Sequence, residues 1–158
     1  MKHKLNALIS VYDKSNLDKI AAYLNTLNCN IISTGGTYKY LSKLNLNNLQ
    51  KVSDITQSPE ILDGRVKTLH PLIHGGILAK RDNQKHMSEI INMQGILIDI
   101  VICNLYPFEE TLKNKKSTAN EIIEMIDIGG PTMIRAAAKN YHSVLTIVDP
   151  DDYKLLSN

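Results

Sequence analysis

Short apolar runs alternate with amphipathic stretches over the first fifty residues of the chain. NALISVY (6–12) and NIISTGG (30–36) are rich in strand-forming residues, so they predict buried strands. The stretch between them, KSNLDKIAAYLNTLN (14–28), starts with a capping-box-like Ser15 and Asp18. It predicts a helix whose apolar face carries Leu17, Ile20, Ala21, Leu24 and Leu27. TYKYLSKL (37–44) predicts a second helix, and this alternating order is typical of a parallel α/β sheet.

The alternation breaks after Val52 into an irregular segment and then resumes. A helix is predicted near Asn83 to Met93, followed by the most apolar strand of the chain, ILIDIVICNLYPF (96–108), which Pro107 stops. Thr118 and Glu121 predict a capping box at the start of a helix. The stretch DIGGPTMIRAAAKN (127–140) predicts another helix start, and SVLTIVDP (143–150) predicts a last strand. We therefore predict an α/β fold of three layers, a mostly parallel sheet flanked by helices, forming a single domain over residues 1–158.

Composition narrows the class of protein. The chain has 158 residues, 43% hydrophobic and 22% charged, which is typical of a globular domain. A formal net charge of +2, 5% aromatic residues and no Trp speak against a nucleic-acid partner. Without a leader or a membrane-spanning apolar run, we expect a cytoplasmic protein with no membrane contact. Cys29 and Cys103 lie in apolar surroundings, which favours buried free thiols over a disulfide.

Residues 63–82, DGRVKTLHPLIHGGILAKRD, gather two arginines, two lysines and two histidines, a pattern that predicts a site for an anion. Three other motifs follow predicted strands: SVYDK (10–14), STGGT (33–37) and CNLYPF (103–108). A fourth, IDIGGPT (126–132), opens a helix. In a parallel α/β sheet, ligands bind beyond the carboxyl ends of the strands, where such turns collect. We therefore expect these segments to form one site.

The STGGT turn is a candidate phosphate cradle. It offers the hydroxyls of Thr34 and Thr37, and Gly35 and Gly36 allow close approach of backbone amides to a ligand. Lys14 and Lys67 would add mobile cations. On its own, a Gly-Gly turn after a strand is more often just a turn than a ligand site.

Three other candidates have simpler interpretations beside the functional ones. His70 and His74 are spaced like helical metal ligands, yet Pro71 and the missing adjacent Glu favour a structural or supporting role. We predict no metal site and no cofactor. Lys139 is explained by pairing with the dipole at the end of its helix, and Asp127 by capping a turn.

Six motifs in sequence order resemble one family: SVYDK, STGGT, DGRVKTLHPLIHGGILA, NLYPFE, IDIGGPTMIRAAAKN and DPDDY. Together they resemble the N-terminal inosine monophosphate (IMP) cyclohydrolase domain of bifunctional purine biosynthesis proteins, over essentially the whole chain. The resemblance implies a methylglyoxal-synthase-like, Rossmann-like fold. It also implies a hydrolase of the cyclic amidine class, which closes the ring of formyl-aminoimidazole carboxamide ribonucleotide (formyl-AICAR) to give IMP and water. No metal or cofactor takes part.

Proteins of that family also carry a C-terminal AICAR formyltransferase domain. The resemblance therefore implies either a fragment or a separately encoded cyclohydrolase domain, without formyltransferase activity of its own, and a homodimer. The implied catalytic residues are Lys67, Tyr106, Asp127 and Lys139, with the amides of Ile128 and Gly129 as an oxyanion hole. The implied substrate-binding residues are Tyr12, Asp13, Lys14, Thr34, Gly35, Gly36, Thr37, Arg65, Val66, Lys67, Thr68, Asn104, Leu105, Asp127, Ile128 and Gly129.

Within that set we expect Lys14 and the STGGT turn to take the phosphate, and Asn104 with the nearby backbone to read the base. Tyr12 departs from the family, which usually has Ser at this position. Two other functions use the same fold. A methylglyoxal synthase would need a small pocket with a carboxylate base and has no use for NLYPF, whereas a nucleotide-sensing regulatory domain would not need the four catalytic side chains. All four are present, which favours the enzyme.

Overall fold

A computed structural model describes residues 4–157, and its five strands form one sheet. The strands are β1 (Asn6–Ser10), β2 (Asn30–Ser33), β3 (Leu49–Lys51), β4 (Ile100–Cys103) and β5 (Leu145–Ile147). Their order is β3-β2-β1-β4-β5, and every neighbouring pair is parallel. The predicted α/β class is confirmed. The sheet in the described residues is entirely parallel rather than mostly so.

Helices cover both faces of this sheet. They are α1 (Leu17–Thr26), α2 (Gly35–Leu41), α3 (Val52–Thr56), α4 (Pro71–Leu78), α5 (Gln84–Asn92), α6 (Phe108–Lys113), α7 (Ala119–Glu124), α8 (Gly129–Lys139) and α9 (Lys154–Ser157). Two short 3-10 turns lie at Leu62–Gly64 and Pro150–Asp152. Among residues 4–157, no helix is long and apolar enough to cross a membrane.

Successive side chains of β1 point to opposite faces of the sheet, so the core has two layers, one on each face. Ala7 and Ile9 pack with Leu17 of α1 on one face of the sheet, while Leu8 packs with Met133 of α8 on the other. Since the central strands are buried on both faces, their sequences read as continuous apolar runs. The three predicted layers follow from this arrangement. Cys29 and Cys103 are buried and free, as predicted.

The predicted capping box at the start of α1 is wrong. The carboxylate of Asp13 accepts a hydrogen bond from the backbone N–H of Ser15 at 2.8 Å, which forms a local turn before the helix. The helix begins at Leu17, after Asn16 in a left-handed conformation with φ 57°. Leu27 lies beyond the helix end and is 47% exposed, so it does not belong to the buried face.

The capping box before α7 is confirmed. The Thr118 hydroxyl accepts from the Glu121 amide at 3.3 Å, and the Glu121 carboxylate accepts from the Thr118 amide at 2.8 Å. The helix predicted near Asn83 to Met93 is also confirmed, because α5 begins immediately after Asn83, whose side chain caps it. Hydrophobic periodicity and capping residues agree in both places.

The segment predicted to be irregular after Val52 contains two helices, α3 and α4. Pro71 is the first residue of α4, and Nδ1 of His70 accepts from the Leu72 amide at 3.2 Å. Gly76 allows close packing, since a Cβ there would lie 2.3 Å from the carbonyl oxygen of Ile96. The glycines that obscure the helical pattern of α4 thus bring it against the chain leading into β4.

Candidate active site

A cavity of about 680 Å³ lies beyond the carboxyl ends of β1, β2 and β4. The chain runs from β1 through β2 to β3 on one side, whereas β4 and β5 lie on the other, so the strand order reverses beside β1. This is the position where open α/β sheets bind ligands. Residues 63–65, 67–69 and 123–130 contribute further to the walls. The volume suits a small organic ligand of mononucleotide size.

Most of the residues proposed from the sequence meet at this cavity. Those that line it are Tyr12, Lys14, Thr34, Gly36, Thr37, Arg65, Lys67, Thr68, Asn104, Tyr106, Asp127, Ile128 and Gly129. Those that lie outside its lining are Asp13, Gly35, Val66, Leu105 and Lys139. The fold therefore brings the separate motifs to one place, with these five residues behind or away from the wall.

The hydroxyls of the STGGT turn are engaged within the protein. Thr34 donates its hydroxyl to Oε1 of Glu60, and the Gly35 amide donates to the same oxygen at 3.0 Å. The buried hydroxyl of Thr37 accepts from the Val11 amide at 3.1 Å and donates to the Val11 carbonyl at 2.9 Å. Beside Gly36, by contrast, no atom lies within 4 Å of the position of a Cβ. The turn thus presents backbone at Gly36 to the cavity.

Glu60 is a component of this region that the sequence did not single out. Its carboxylate lies against the first residues of the turn, and the hydrogen bond from Thr34 lowers its pKa from the ordinary value, with smaller contributions from the Gly35 amide and from Lys67 and Lys39. A lone acidic residue in SPE (58–60), just before the basic segment, was the available signal. Only the fold shows that it meets a turn 25 residues away.

Two lysines and one arginine contribute positive charge. Nζ of Lys67 lies 3.3 Å from where a Cβ on Gly35 would stand, so its ammonium sits beside the STGGT turn. Nζ of Lys14 donates to the Tyr12 carbonyl at 3.1 Å. Arg65 forms an exposed ion pair with Glu124, which raises the pKa of the guanidinium further. Lys67 thus lies beside the turn, Lys14 lines the same cavity, and Arg65 is paired with Glu124.

The Asn104 side chain ties the ends of β1 and β4 together. Its Oδ1 accepts from the amides of Tyr12 and Asp13 at 2.7 and 2.8 Å, and its Nδ2 donates to the Asp13 carbonyl at 2.9 Å. These bonds employ both ends of the amide group. In this conformation Asn104 holds the cavity wall rather than presenting a free group to a ligand base.

Asp127 and two glycines shape the start of α8. Oδ1 of Asp127 accepts from the Gly130 amide at 2.8 Å, so the carboxylate does cap the helix while lining the cavity. A Cβ on Gly130 would lie 2.5 Å from the Leu105 side chain, and one on Gly129 would lie 2.9 Å from the Thr68 hydroxyl. The two glycines therefore allow the basic segment and the end of β4 to pack against this helix start.

Lys139 stands apart from the other proposed catalytic residues. It is the last residue of α8, it is exposed, and the cavity wall does not include it. Ten residues separate it from Gly129, which at 1.5 Å of rise per residue is about 15 Å along the helix. Within one chain, Lys139 does not reach the group formed by Lys67, Tyr106 and Asp127.

The two histidines of the basic segment face different surroundings. His70 caps α4 through Nδ1, which fits the structural role expected for it. His74 carries a buried Nε2 with no hydrogen-bond partner, and burial lowers its pKa. In the described part of the chain, no three His, Cys, Asp or Glu side chains are grouped so as to hold a metal ion.

Comparison with known proteins shows the family. The model of the MGS-like domain matches residues 16–132, and the chain belongs to this family. It is similar to the bifunctional purine biosynthesis protein PurH of Thermoanaerobacter sp., with 58% identity over 93% of this chain and 29% of that protein. The PurH proteins of Caldicellulosiruptor bescii and Staphylococcus aureus are each 52% identical, over 96% and 94% of this chain.

The chain thus spans about 30% of the length of these curated relatives. Among solved structures, the crystal structure of ForH superimposes with a TM-score of 0.78 and 35% sequence identity. The match covers 98% of this chain and 77% of that one. The family is therefore shown by sequence, and the match to a solved structure supports the fold.

Proposed function

We propose that the chain is an IMP cyclohydrolase, which closes the ring of formyl-AICAR in purine biosynthesis. In this reaction the carboxamide nitrogen forms a bond to the formyl carbon, and the former formyl oxygen leaves as water. The observation that carries the proposal is that Lys67, Tyr106 and Asp127 line one cavity together with residues of the STGGT turn. The similarity to PurH proteins, which act in purine biosynthesis, supports the same reaction.

The chemistry accounts for the types of residue in the cavity. An amide nitrogen is a weak nucleophile and hydroxide a poor leaving group, so the site needs a proton acceptor, a proton donor and stabilisation of an oxyanion. Asp127 suits the acceptor role, Tyr106 and Lys67 suit the donor role, and the amides of Ile128 and Gly129 suit the oxyanion. No metal or cofactor is needed for these steps.

The substrate phosphate would lie at the STGGT turn. The backbone at Gly36 faces open space, the ammonium group of Lys67 lies beside the turn, and Lys14 lines the same cavity. Charge-assisted hydrogen bonds are the stronger kind, so the phosphate should supply much of the affinity. IMP should therefore bind far more tightly than inosine, and calorimetry giving equal affinities would reject this cradle.

Lys139 would serve the site of a second copy in a homodimer. Its exposure and its separation of about 15 Å from the start of α8 leave it no route to its own cavity. Lys139→Ala should fold and bind IMP normally but lose kcat by about 10²-fold, the scale of acid–base catalysis. Mixing Lys139→Ala with inactive Lys67→Ala tests the arrangement. Activity recovered after verified subunit exchange would show that the two lysines come from different chains.

The direct test is incubation of the purified chain with formyl-AICAR while IMP formation is followed spectroscopically. Lys67→Ala and Asp127→Asn should lower kcat, whereas Lys14→Ala should mainly raise KM because phosphate contacts are equal in the ground and transition states. A folded chain that binds IMP without turnover would instead be a nucleotide-sensing module. The formyltransferase activity would reside in the part of the longer relatives that this chain does not match.

A further inference from the structure

Two tyrosines stand together at the mouth of the cavity. Tyr12 follows β1 and Tyr106 follows β4, two neighbouring strands in which Ser10 pairs with Cys103. The ring centroids are 5.7 Å apart and the ring planes are perpendicular, a T-shaped contact. Both residues line the cavity. Perpendicular packing at this distance is the favourable geometry for two aromatic rings, because the positive edge of one meets the negative face of the other.

Tyr12 and Tyr106 have different hydrogen-bonding surroundings. The backbone of Tyr12 is fixed on both sides, since its N–H donates to Oδ1 of Asn104 at 2.7 Å and its carbonyl accepts from Nζ of Lys14 at 3.1 Å. Tyr106 lies in the connection between β4 and α6. Its hydroxyl has no hydrogen-bond partner within residues 4–157, which leaves it available to a ligand. The ring of Tyr12 thus extends from a hydrogen-bonded stretch of backbone, and the Tyr106 ring packs against it.

We propose that Tyr12 is a positioning residue for Tyr106, acting through the aromatic contact. This inference rests on the proposed function, in which the Tyr106 hydroxyl takes part in proton transfer. A hydroxyl that moves a proton must be held at hydrogen-bond distance from the reacting atom, and the only part of Tyr106 that an aromatic neighbour can orient is its ring. In this proposal Tyr12 affects turnover through the Tyr106 ring. The hydroxyl of Tyr12 itself is not required.

Two substitutions at position 12 separate the ring from the rest of the side chain. Tyr12→Phe keeps the ring and the T-shaped contact, so it should retain kcat. Tyr12→Leu keeps apolar bulk at a position that is already 50% exposed but removes the ring. It should lower kcat by about 2- to 12-fold, which corresponds to the roughly 0.5–1.5 kcal/mol of an aromatic pair at about 1.4 kcal/mol per tenfold. KM, IMP affinity by calorimetry and the unfolding midpoint should stay close to those of the parent.

A double-mutant cycle shows whether the effect passes through Tyr106. In a Tyr106→Phe background the hydroxyl is already absent, so Tyr12→Leu should cost no further activity. A loss in kcat that is the same in both backgrounds would overturn the inference, because Tyr12 would then act independently of Tyr106. A rise in KM or a weaker IMP affinity at unchanged kcat would overturn it as well, since Tyr12 would be a ligand contact.

The two proposals fail in different ways. A parent chain that is folded but inactive with formyl-AICAR overturns the proposed function and this inference with it. An active parent whose kcat is unchanged by Tyr12→Leu overturns the inference alone. Ring NMR signals of the tyrosine-labelled protein add a readout that needs no turnover. The Tyr106 signals should shift in Tyr12→Leu and stay in place in Tyr12→Phe, and no shift in either variant would refute the contact in solution.

Discussion

Gly36→Ala should separate stability from ligand binding at the STGGT turn. Gly36 is the second residue of α2, it is not among the residues with positive φ, and no atom lies within 4 Å of the position of a Cβ. Alanine therefore fits without strain. Replacing such a glycine restricts the unfolded chain and stabilises a protein by about 0.4–1 kcal/mol. For a chain of this size, the melting temperature should rise by about 1–4 °C.

The space beside Gly36 is open because it belongs to the cavity. If the ligand phosphate rests on this backbone, a methyl group there occupies the room that the phosphate oxygens need. We expect IMP affinity to fall by at least tenfold, or about 1.4 kcal/mol. Inosine, which has no phosphate, should bind equally to both proteins. Calorimetric titrations with IMP and inosine and a thermal unfolding scan, run on parent and variant, give the complete comparison.

Either half of this prediction can fail separately. A variant that is at least as stable as the parent and binds IMP equally well would show that the phosphate does not rest on Gly36. A variant that is clearly destabilised would show that the turn has less room than its geometry indicates. A loss of inosine binding together with IMP binding would mean that the whole cavity had changed.

Three further substitutions test the surrounding structure. Gly76→Ala, whose Cβ would lie 2.3 Å from the carbonyl oxygen of Ile96, should cost about 2–4 kcal/mol in urea unfolding. Glu60 has a lowered pKa in the folded chain. Its ionised form therefore adds to the free energy of unfolding above the ordinary pKa, and this contribution is lost as the pH falls through the folded value. In Glu60→Gln, the free energy of unfolding should depend less on pH over that acidic range. His74 also has a lowered pKa, so the free energy of unfolding should decline as the pH falls below about 6.5. His74→Gln should remove this decline, whereas the control His142→Gln, at an exposed position, should leave it in place.

The elements that the sequence predicted carry an apolar run, capping residues or both. β1, β2 and β4 carry apolar runs because helices cover both faces of the sheet, and α5 and α7 also carry capping residues. β3 was missed because it is a three-residue edge strand, LQK, with two exposed side chains. α4 was missed because Pro71 and two glycines obscure its helical pattern. The glycines of α4 allow close packing against other parts of the chain, and the local sequence pattern carries no information on such contacts.

The site was predictable as a location but not in its hydrogen bonding. Motifs after neighbouring parallel strands must meet at one edge of the sheet, and this general rule located Tyr12, Lys14 and Tyr106. Whether a hydroxyl is free depends on partners far along the chain. The Thr34 hydroxyl bonds to Glu60 and the Thr37 hydroxyl bonds to Val11, each 26 residues away along the chain. Whether these hydroxyls are free to bind a ligand could therefore not be inferred from the turn itself.

The proposed site residues divide into two physical groups. In the first group, the side-chain polar atoms form hydrogen bonds within the protein. Thr37 bonds to Val11 just after β1, Asn104 links the end of β4 to the residues after β1, and Asp127 caps α8. In the second, Lys67 and Tyr106 line the cavity without a side-chain hydrogen bond inside residues 4–157. Substitutions in the first group remove bonds that shape the cavity, so they should lower stability and affinity together. Substitutions in the second group leave those bonds intact, and their effects on turnover can be assigned to chemistry. Asp127 belongs to the first group but also lines the cavity, since one oxygen of its carboxylate caps α8. Its substitution must therefore be interpreted with a stability measurement beside the kinetics.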